Sequence, residues 1–316
     1  MNILFMGTPD FARDSLEKLH SKYNIIGVVT NPNKPKGRGM KLVASPVKEY
    51  AIENNLKIYQ PQKIRNNIEF IEEIKSLKPD VICVVAYGKI LPKEILDIPT
   101  LGCVNLHGSL LPKYRGAAPI QWAVLNGENS TGVTTIYMDE GMDSGDIILE
   151  KEVEIEENET TGELWEKLSK IGANLLLETV ELIEKGTAPR KKQPIEYTLA
   201  PMLNKEMSKI NWNEIESKKL KNLVRGLNPI MGTYTMYNNK KLKFWKIEII
   251  NNKEMEKQNV NVKPGTIICA NEKEGLYIKT VDGIISVLEI QGENAKKMNI
   301  ADFLRGNKLE VNICFE

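Results

Sequence analysis

The 316-residue sequence contains little cysteine and even less histidine, four and two residues respectively. Its cysteines, Cys83, Cys103, Cys269 and Cys314, are scattered and lie mostly within apolar runs. This spacing matches neither a zinc motif nor the dense cysteine framework of small secreted proteins. We therefore expect reduced thiols, chiefly in the core, and no bound metal.

Long hydrophobic runs are also missing, and none approaches the length of a membrane span. The opening MNILFMGTPD has neither the charged region nor the cleavage site of a secretory signal. We expect a cytoplasmic protein without a membrane partner. With 41% hydrophobic and 27% charged residues, the composition is that of a soluble protein long enough for two domains.

A large net charge is absent as well, because the total is only +1. The charges are unevenly distributed, however, since residues 206–316 contain 18 Lys and Arg against 14 Asp and Glu. Residues 31–48 contain five cations and no acid. On charge alone, we interpret this acid-free run as a solvated loop, the usual setting of such runs.

Strand and helix signals alternate through the first half of the chain. Apolar runs predict strands at residues 2–6, 24–30, 81–86, 102–106, 133–138 and 147–153. Amphipathic segments that predict helices lie between several of these runs. A long amphipathic segment that ends near residue 183 follows a possible capping box at Thr160 and Glu163. The alternation predicts an α/β fold, Rossmann-like, with a mainly parallel sheet and helices on both faces.

The pattern changes after residue 188. Residues 189–205 contain prolines and mixed charge without a sustained period, which is typical of an interdomain linker. From residue 206 onward, short alternating runs broken by turns predict a small, OB-like antiparallel β-barrel. We therefore predict a catalytic domain over residues 1–188, a linker over 189–205 and a barrel domain over 206–316.

Two familiar binding motifs are incomplete. Gly7 follows the first strand but lacks the further glycines of a dinucleotide fingerprint, so we do not predict NAD binding. The acidic segment DEGMDSGDIILE (139–150) has Ser144 where a calcium loop requires glycine. Asp139 and Glu140 are interpreted as solvated, but Asp143 stands among small residues that permit a close backbone approach.

His107 directly follows an apolar run and precedes a long irregular loop. Many α/β enzymes present a catalytic group at such a strand end, although a lone histidine is about as often structural. Asn105 lies on the same side of the strand, because side chains alternate. An acid from another loop, Asp143, could orient the imidazole and hold its charged form. This trio suits acyl or one-carbon transfer to an amine, with direct attack by the acceptor.

Several motifs resemble the folate-dependent formyltransferase superfamily: NLHGSLLP (105–112), YRGAAP (114–119) and GMDSGD (141–146). FMGTPDFA, the loop PKGRGMKL, AYGKILP (86–92) and the segment 197–212 resemble one of its members closely. The likeness covers essentially the whole chain. It implies transfer of a formyl group from 10-formyltetrahydrofolate to the α-amino group of methionyl initiator tRNA.

The resemblance also implies roles for individual residues. It makes Asn105, His107 and Asp143 the catalytic trio. The implied folate-binding residues are Ser109, Leu110, Leu111, Pro112, Tyr87, Gly88 and Ile90. The implied tRNA-binding residues are Lys36, Arg38 and Lys41 in the basic loop, with Lys241 and Lys243 in the barrel domain. Apart from these substrates we expect no metal and no partner subunit, so that the chain acts as a monomer.

Other activities stay open at this stage. A glycinamide ribonucleotide transformylase would share the trio but would end near residue 200, and an amino-sugar formylating enzyme would replace the barrel with a dinucleotide domain. A catalytically idle tRNA-binding module is a further alternative, which the intact trio disfavours. If water replaced the amine, the chain would be a formyl-folate hydrolase.

Overall fold

The predicted alternation of strands and helices is present in the computed structural model, which describes residues 1–36 and 41–316. Two compact units divide the chain. The first unit comprises Met1–Ile120, Ser130–Glu154 and Trp165–Met202. The second comprises Gln121–Asn129, Ile155–Leu164 and Leu203–Glu316. The predicted domain boundaries stay predictions, although most of the expected linker lies within the first unit.

The strands of the first unit form one large sheet and one small hairpin. They are β1 (Asn2–Gly7), β2 (Asn24–Val29), β3 (Lys34–Lys36), β4 (Lys41–Val43), β5 (Ile58–Tyr59), β6 (Val81–Val85), β7 (Cys103–His107), β8 (Ser130–Tyr137) and β9 (Ile147–Glu154). Within the described residues, the large sheet has the order β5-β2-β1-β6-β7-β8-β9. Its first five strands run parallel, whereas β8 and β9 pair antiparallel. The β3–β4 hairpin was not predicted.

Helices cover the sheet on both faces. The helices of the first unit are α1 (Asp10–His20), α2 (Pro46–Glu53), α3 (Ile68–Ser76), α4 (Lys93–Leu96) and most of α6 (Thr161–Glu184), while α5 (Pro119–Leu125) lies largely in the second unit. On one face, Leu4 and Ile82 share a buried cluster with Ile74 of α3. On the other face, Leu106 of β7 lies against Gly172 of α6. Burial of each such side chain contributes about 1.5–3 kcal/mol, which holds the sheet between its helices.

The start of α6 shows how local sequence sets an element boundary. The Thr160 N–H donates to Glu163 Oε2 at 2.8 Å, and the Glu163 N–H donates to Thr160 Oγ1 at 3.3 Å. These reciprocal bonds satisfy two N–H groups at the helix start, which have no partner within the helix. The predicted capping box is therefore confirmed.

The second unit is built on an antiparallel sheet. Its strands are β10 (Thr233–Tyr237), β11 (Lys240–Ile249), β12 (Ile267–Asn271), β13 (Gly275–Lys279), β14 (Ile284–Gln291) and β15 (Met298–Asn299). The order is β10-β11-β14-β13-β12, with β15 beside β14. Its helices are a 3₁₀ turn (Lys205–Ser208), α7 (Ser217–Gly226), α8 (Lys253–Gln258) and α9 (Ile300–Gly306).

The last residues of the chain join the two outer strands of this sheet. Met236 of β10 exchanges two backbone hydrogen bonds with Glu316. Ile267 of β12 donates to the Ile313 carbonyl and accepts from the Asn312 N–H. Because both edges are paired through one segment, neither is left open there to another chain. The predicted fold class, a mainly parallel α/β sheet followed by an antiparallel β domain, is confirmed.

Two further observations concern the described residues as a whole. None of the helices resolved in them is both long enough and apolar enough to traverse a lipid bilayer. All four cysteines carry free thiols. Burial, with a smaller contribution from the Asp97 charge, raises the pKa of the Cys103 thiol to about 12, so this sulfur stays protonated at neutral pH.

Candidate active site

His107 ends β7 at the carboxyl edge of the parallel part of the sheet, where open α/β sheets bind ligands. It alternates with Leu106, so it points to the same face as Asn105 and Cys103. His107 is buried, with 5% of its surface exposed, whereas Asn105 is half-buried. The strand thus directs an imidazole and an amide to one side of the sheet edge.

The imidazole of His107 lies between two oxygen atoms. Its Nε2 is 2.9 Å from the Tyr114 carbonyl oxygen, a hydrogen-bond distance. Its Nδ1 is 3.6 Å from Asp143 Oδ2, which is an ion-pair distance and longer than a hydrogen bond. Because a carbonyl oxygen can only accept, the Nε2 position carries a proton. Nδ1 is therefore the nitrogen with hydrogen-bonding capacity left.

Asp143 reaches His107 from the loop between β8 and β9. Its backbone adopts a left-handed conformation with φ of 51°, which non-glycine residues adopt rarely but Asp tolerates better than most. A Cβ at Gly145 would overlap the Tyr137 carbonyl oxygen, so glycine is required where the loop folds back on β8. The side chain is held by the Gly116 N–H, which donates to Asp143 Oδ2 at 2.9 Å.

Gln193 and Arg115 support this loop, and neither was among the predicted site residues. Gln193 Nε2 donates to the carbonyl oxygens of Asp143 and Gly145, at 2.9 and 2.8 Å. Arg115 donates to Gln193 Oε1 from Nε and Nη2, at 3.1 and 2.6 Å. Arg115 belongs to the YRGAAP motif (114–119). Gln193 lies in the predicted linker, where no motif indicates a role in the site.

The Asn105 amide makes no side-chain hydrogen bond within residues 1–36 and 41–316. Its half-buried position between two buried strand residues would ordinarily favour a partner for each polar atom. An amide in this setting has donor and acceptor capacity that a substrate can use. The structure thus brings His107 and Asp143 together and leaves Asn105 available on the same face.

The four residues after Gly108 form a loop that is anchored from inside the protein. Ser109 is fully buried, and its hydroxyl donates to the Lys113 carbonyl at 2.6 Å. Leu111 is buried against Ile136 and Ile147, while Leu110 and Pro112 are half-buried. These contacts shape the loop, and its role in folate binding stays a prediction.

The segment after β6 combines one buried ring with an open backbone. Tyr87 is 1% exposed, and its hydroxyl has no hydrogen-bond partner in the described part of the chain. Burial raises the pKa of this hydroxyl well above its ordinary value. Gly88 has φ of 75° with open space around its Cβ position, and Ile90 is 71% exposed. Asn31 Nδ2 holds the segment by donating to the Tyr87 carbonyl at 2.9 Å.

The predicted tRNA-binding loop is described in part. Lys36 and Lys41 pair through their backbones in the β3–β4 hairpin. Arg38 lies outside the described residues. Near this hairpin, a pocket of about 220 Å³ is lined by Thr8, Asn31, Pro32, Pro35, Val43, Ala44 and Ser45.

The two lysines predicted to bind tRNA in the second unit lie on β11. Lys241 Nζ stands 3.9 Å from the centre of the Tyr234 ring, a cation–π distance. Lys243 is more constrained, because its Nζ donates to the Met231 carbonyl oxygen at 2.7 Å. Burial, followed by the charge of Lys241, lowers the pKa of Lys243. Leu242 and Phe244 alternate with these lysines and are buried in the core of this unit.

The chain contains no cluster of three His, Cys, Asp or Glu side chains suited to a metal ion, as far as the described residues extend. The candidate site groups the His107 imidazole, the Asp143 carboxylate and the Asn105 amide with the loops around them. Such a set can stabilise an oxyanion and move a proton.

Comparison with protein families assigns a class to this fold and site. The formyl transferase family matches residues 1–180, and the formyl transferase C-terminal domain matches residues 202–308. The chain belongs to the formyl transferase family.

Its full-length relatives narrow the class. The methionyl-tRNA formyltransferase of Clostridioides difficile is 52% identical over 315 residues, which cover 99% of this chain and 99% of that protein. The methionyl-tRNA formyltransferase of Clostridium tetani is 50% identical over 317 residues, with both chains covered completely. The resemblance drawn from the sequence motifs is confirmed.

A solved structure shares the fold at lower identity. An N-formyltransferase from Helicobacter canadensis, in complex with folinic acid and dTDP-3-aminofucose, superposes with a TM-score of 0.66. It is 22% identical, and the match covers 92% of this chain and 99% of that chain. At this identity the similarity concerns the fold alone.

Proposed function

We propose that the chain transfers the formyl group of 10-formyltetrahydrofolate to the α-amino group of methionyl initiator tRNA, giving formylmethionyl-tRNA for translation initiation. The observation that carries this proposal is the pairing of His107 with Asp143 beside the Asn105 amide, in a chain whose full-length relatives are methionyl-tRNA formyltransferases.

The acceptor amine attacks the formyl carbon directly. A new C–N bond forms, the carbonyl oxygen becomes an oxyanion, and the bond from the formyl carbon to folate N10 then breaks. The amine must lose a proton and N10 must gain one, so a single group that moves protons serves both halves of the reaction. No covalent enzyme intermediate is needed.

His107 is the proton-moving group, and its hydrogen bonds select the reactive nitrogen. Nε2 is committed to the Tyr114 carbonyl at 2.9 Å. Nδ1 faces Asp143 at 3.6 Å, far enough for a substrate atom to compete for it. In its neutral form the ring accepts a proton at Nδ1, and in its charged form it donates from Nδ1. Asp143 orients the ring and compensates the positive charge that appears during transfer.

Asn105 stabilises the oxyanion. Its amide is available among the described residues and lies on the same face of β7 as His107. A fixed donor aimed at a developing oxyanion is worth about 3–4 kcal/mol in enzymes that transfer acyl groups.

The segment after β6 fits a flat folate ring. Its backbone is open at Gly88, where no heavy atom of the described residues, apart from Gly88 and its two chain neighbours, lies within 4 Å of the Cβ position, and Ile90 presents an exposed apolar surface. Apolar walls with a few backbone polar groups are typical of sites for such ligands. The loop at residues 109–112 forms the other candidate wall. The donor's folate is a co-substrate, and the proposal requires no metal.

The basic residues attract the tRNA. Lys241 lies on β11, and Lys36 and Lys41, which pair in the β3–β4 hairpin, stand on either side of Arg38 in the sequence. Lys and Arg contacts to phosphates give affinity that is broad in sequence and strongly dependent on salt. In this proposal Arg38 acts at the acceptor end and the β11 lysines contribute general affinity.

A direct test uses 10-formyltetrahydrofolate with a labelled formyl group. The proposal predicts label on methionyl initiator tRNA and none on the uncharged tRNA. Formate release without an acceptor would identify a folate hydrolase instead. Binding of tRNA without any transfer, in a single-turnover assay with charged tRNA, would identify an idle binding module.

A further inference from the structure

We propose that Gln193 is a positioning residue for formyl transfer, holding Asp143 in the orientation that meets His107. This inference rests on the proposed function, since it assigns a role in the same site. Gln193 lies 50 positions after Asp143 in the chain, in a segment whose composition is typical of a linker.

The contacts of Gln193 fix the direction of its amide. Its Nε2 faces two acceptors, the carbonyls of Asp143 and Gly145, at 2.9 and 2.8 Å. Its Oε1 faces two donors of Arg115, at 3.1 and 2.6 Å. Reversing the amide would place donors against donors and acceptors against acceptors, so only one orientation satisfies all four contacts.

The two carbonyls that Gln193 binds flank Ser144. Asp143 is in the left-handed region with φ of 51°, a conformation that surrounding contacts must maintain. By bonding the backbone on both sides of the turn, Gln193 sets where the Asp143 carboxylate points. Its side-chain hydrogen bonds go to Asp143, Gly145 and Arg115 and not to His107, so it acts through Asp143.

Arg115 connects Gln193 and Asp143 to the backbone of residues 198–200. It is 9% exposed, and its own backbone is held by Thr198 and Ala200, through N–H···O bonds of 2.9 and 2.7 Å. The next residue, Gly116, donates its N–H to Asp143 Oδ2 at 2.9 Å. The segment 198–200 therefore fixes Arg115, which fixes both the backbone of Asp143, through Gln193, and its carboxylate, through Gly116.

Replacement of Gln193 by Glu separates these roles. A carboxylate retains the two acceptor contacts to Arg115, but it cannot donate to the carbonyls of Asp143 and Gly145. We expect kcat to fall about 10- to 100-fold, the loss typical of small misplacements of a reacting group. KM values for folate and tRNA should stay within about twofold. Gln62→Glu, the same change at an exposed glutamine, is the matched control and should be active.

A double-mutant cycle tests whether Gln193 works through Asp143. If it does, Gln193→Glu should cost nothing further in an Asp143→Asn background, because the positioned charge is already lost. An equal loss in both backgrounds would overturn the proposal. So would wild-type kcat in Gln193→Glu.

Histidine NMR provides a readout that needs no activity. The chain has two histidines, so His20→Gln identifies the ring signals of His107 in protein labelled with ¹⁵N-histidine. Gln193→Glu should shift the Nδ1 signal in the same direction as Asp143→Asn, and Gln62→Glu should leave it in place. An unmoved signal in Gln193→Glu would contradict the proposal. If the wild type transfers no formyl group, the proposed function fails, while this spectrum still decides the role of Gln193.

Discussion

His107 and Asp143 in the first unit are held by buried, directional contacts, whereas Lys241 in the second unit is half-exposed and rests on an aromatic ring. Proton transfer requires atoms placed within fractions of an ångström, because its rate depends steeply on geometry. Attraction of a polyanion requires charge on the correct surface and tolerates movement. The contacts of the two regions therefore differ in the way that their proposed roles require.

In the first unit, replacement of His107 by Ala should have the largest effect on the rate of formyl transfer. We expect kcat to fall by about two to four orders of magnitude, because the variant lacks the imidazole that we propose moves the proton. Single-turnover formylation measures the loss, and tRNA binding at equilibrium should be unchanged. Near-full activity would show that His107 is a structural residue.

Lys241→Ala tests whether the second unit attracts tRNA through its charge. Loss of one phosphate contact should reduce the slope of log affinity against log salt by about 0.9, for initiator and elongator tRNAs alike. Turnover at saturating tRNA should stay at the wild-type value. A salt slope equal to that of the wild type would remove Lys241 from the binding surface.

Lys243 lies on the same strand as Lys241 but is held more firmly, because its Nζ donates a hydrogen bond to the Met231 carbonyl oxygen at 2.7 Å. We expect Lys243→Met, which keeps most of the apolar stem, to lower the free energy of unfolding by about 1–2 kcal/mol. Chemical denaturation measures this change. A stability equal to that of Lys241→Ala would mean that the bond from Lys243 to the Met231 carbonyl does not stabilise the fold.

Tyr87→Phe examines a buried polar atom in the first unit. The Tyr87 hydroxyl is buried and has no partner among the described residues, so its removal should raise the free energy of unfolding by about 1 kcal/mol. If folate binds through the backbone of this segment, KM for folate should not change. An increase in KM would show that the hydroxyl itself contacts the ligand.

The capping box should give the smallest effect, since it is a solvent-exposed pair. Hydrogen bonds from the Thr160 N–H, and next from its hydroxyl, lower the pKa of Glu163 below its ordinary value. A carboxylate with a lowered pKa stabilises the fold above its unfolded pKa and loses that effect as the pH falls through its folded value. The difference in Tm between wild type and Glu163→Gln should therefore shrink from pH 6 to pH 3. A pH-independent difference would exclude this linkage.

Much of the fold was predictable because it depends on local patterns. Buried strands such as β6 and β7 are short apolar runs, and α6 has both a helical stripe and a capping box. The β3–β4 hairpin was not predicted because its strands consist largely of lysine and proline. Helix α8 was missed because it is short and buries no residue, which leaves no periodic signal.

The candidate site was predictable only where motifs identified it. Asn105, His107 and Asp143 stand in recognisable segments, and the structure places the last two 3.6 Å apart. Gln193 could not be found, because its role depends on two backbone carbonyls about 50 residues away, and backbone acceptors leave no mark on the sequence. The sequence also could not predict that Glu316 and Ile313 connect β10 to β12, because these contacts are backbone hydrogen bonds as well.

In the proposed mechanism, the negative charge of Asp143 beside His107 is required for formyl transfer to methionyl initiator tRNA. Single-turnover formylation of methionyl initiator tRNA by Asp143→Asn tests it most directly, because the amide preserves shape and removes the charge. We predict a chemical step slower by about two to three orders of magnitude, with the Kd for tRNA and the Tm close to wild type. A wild-type rate in this variant would show that formyl transfer does not need the Asp143 charge.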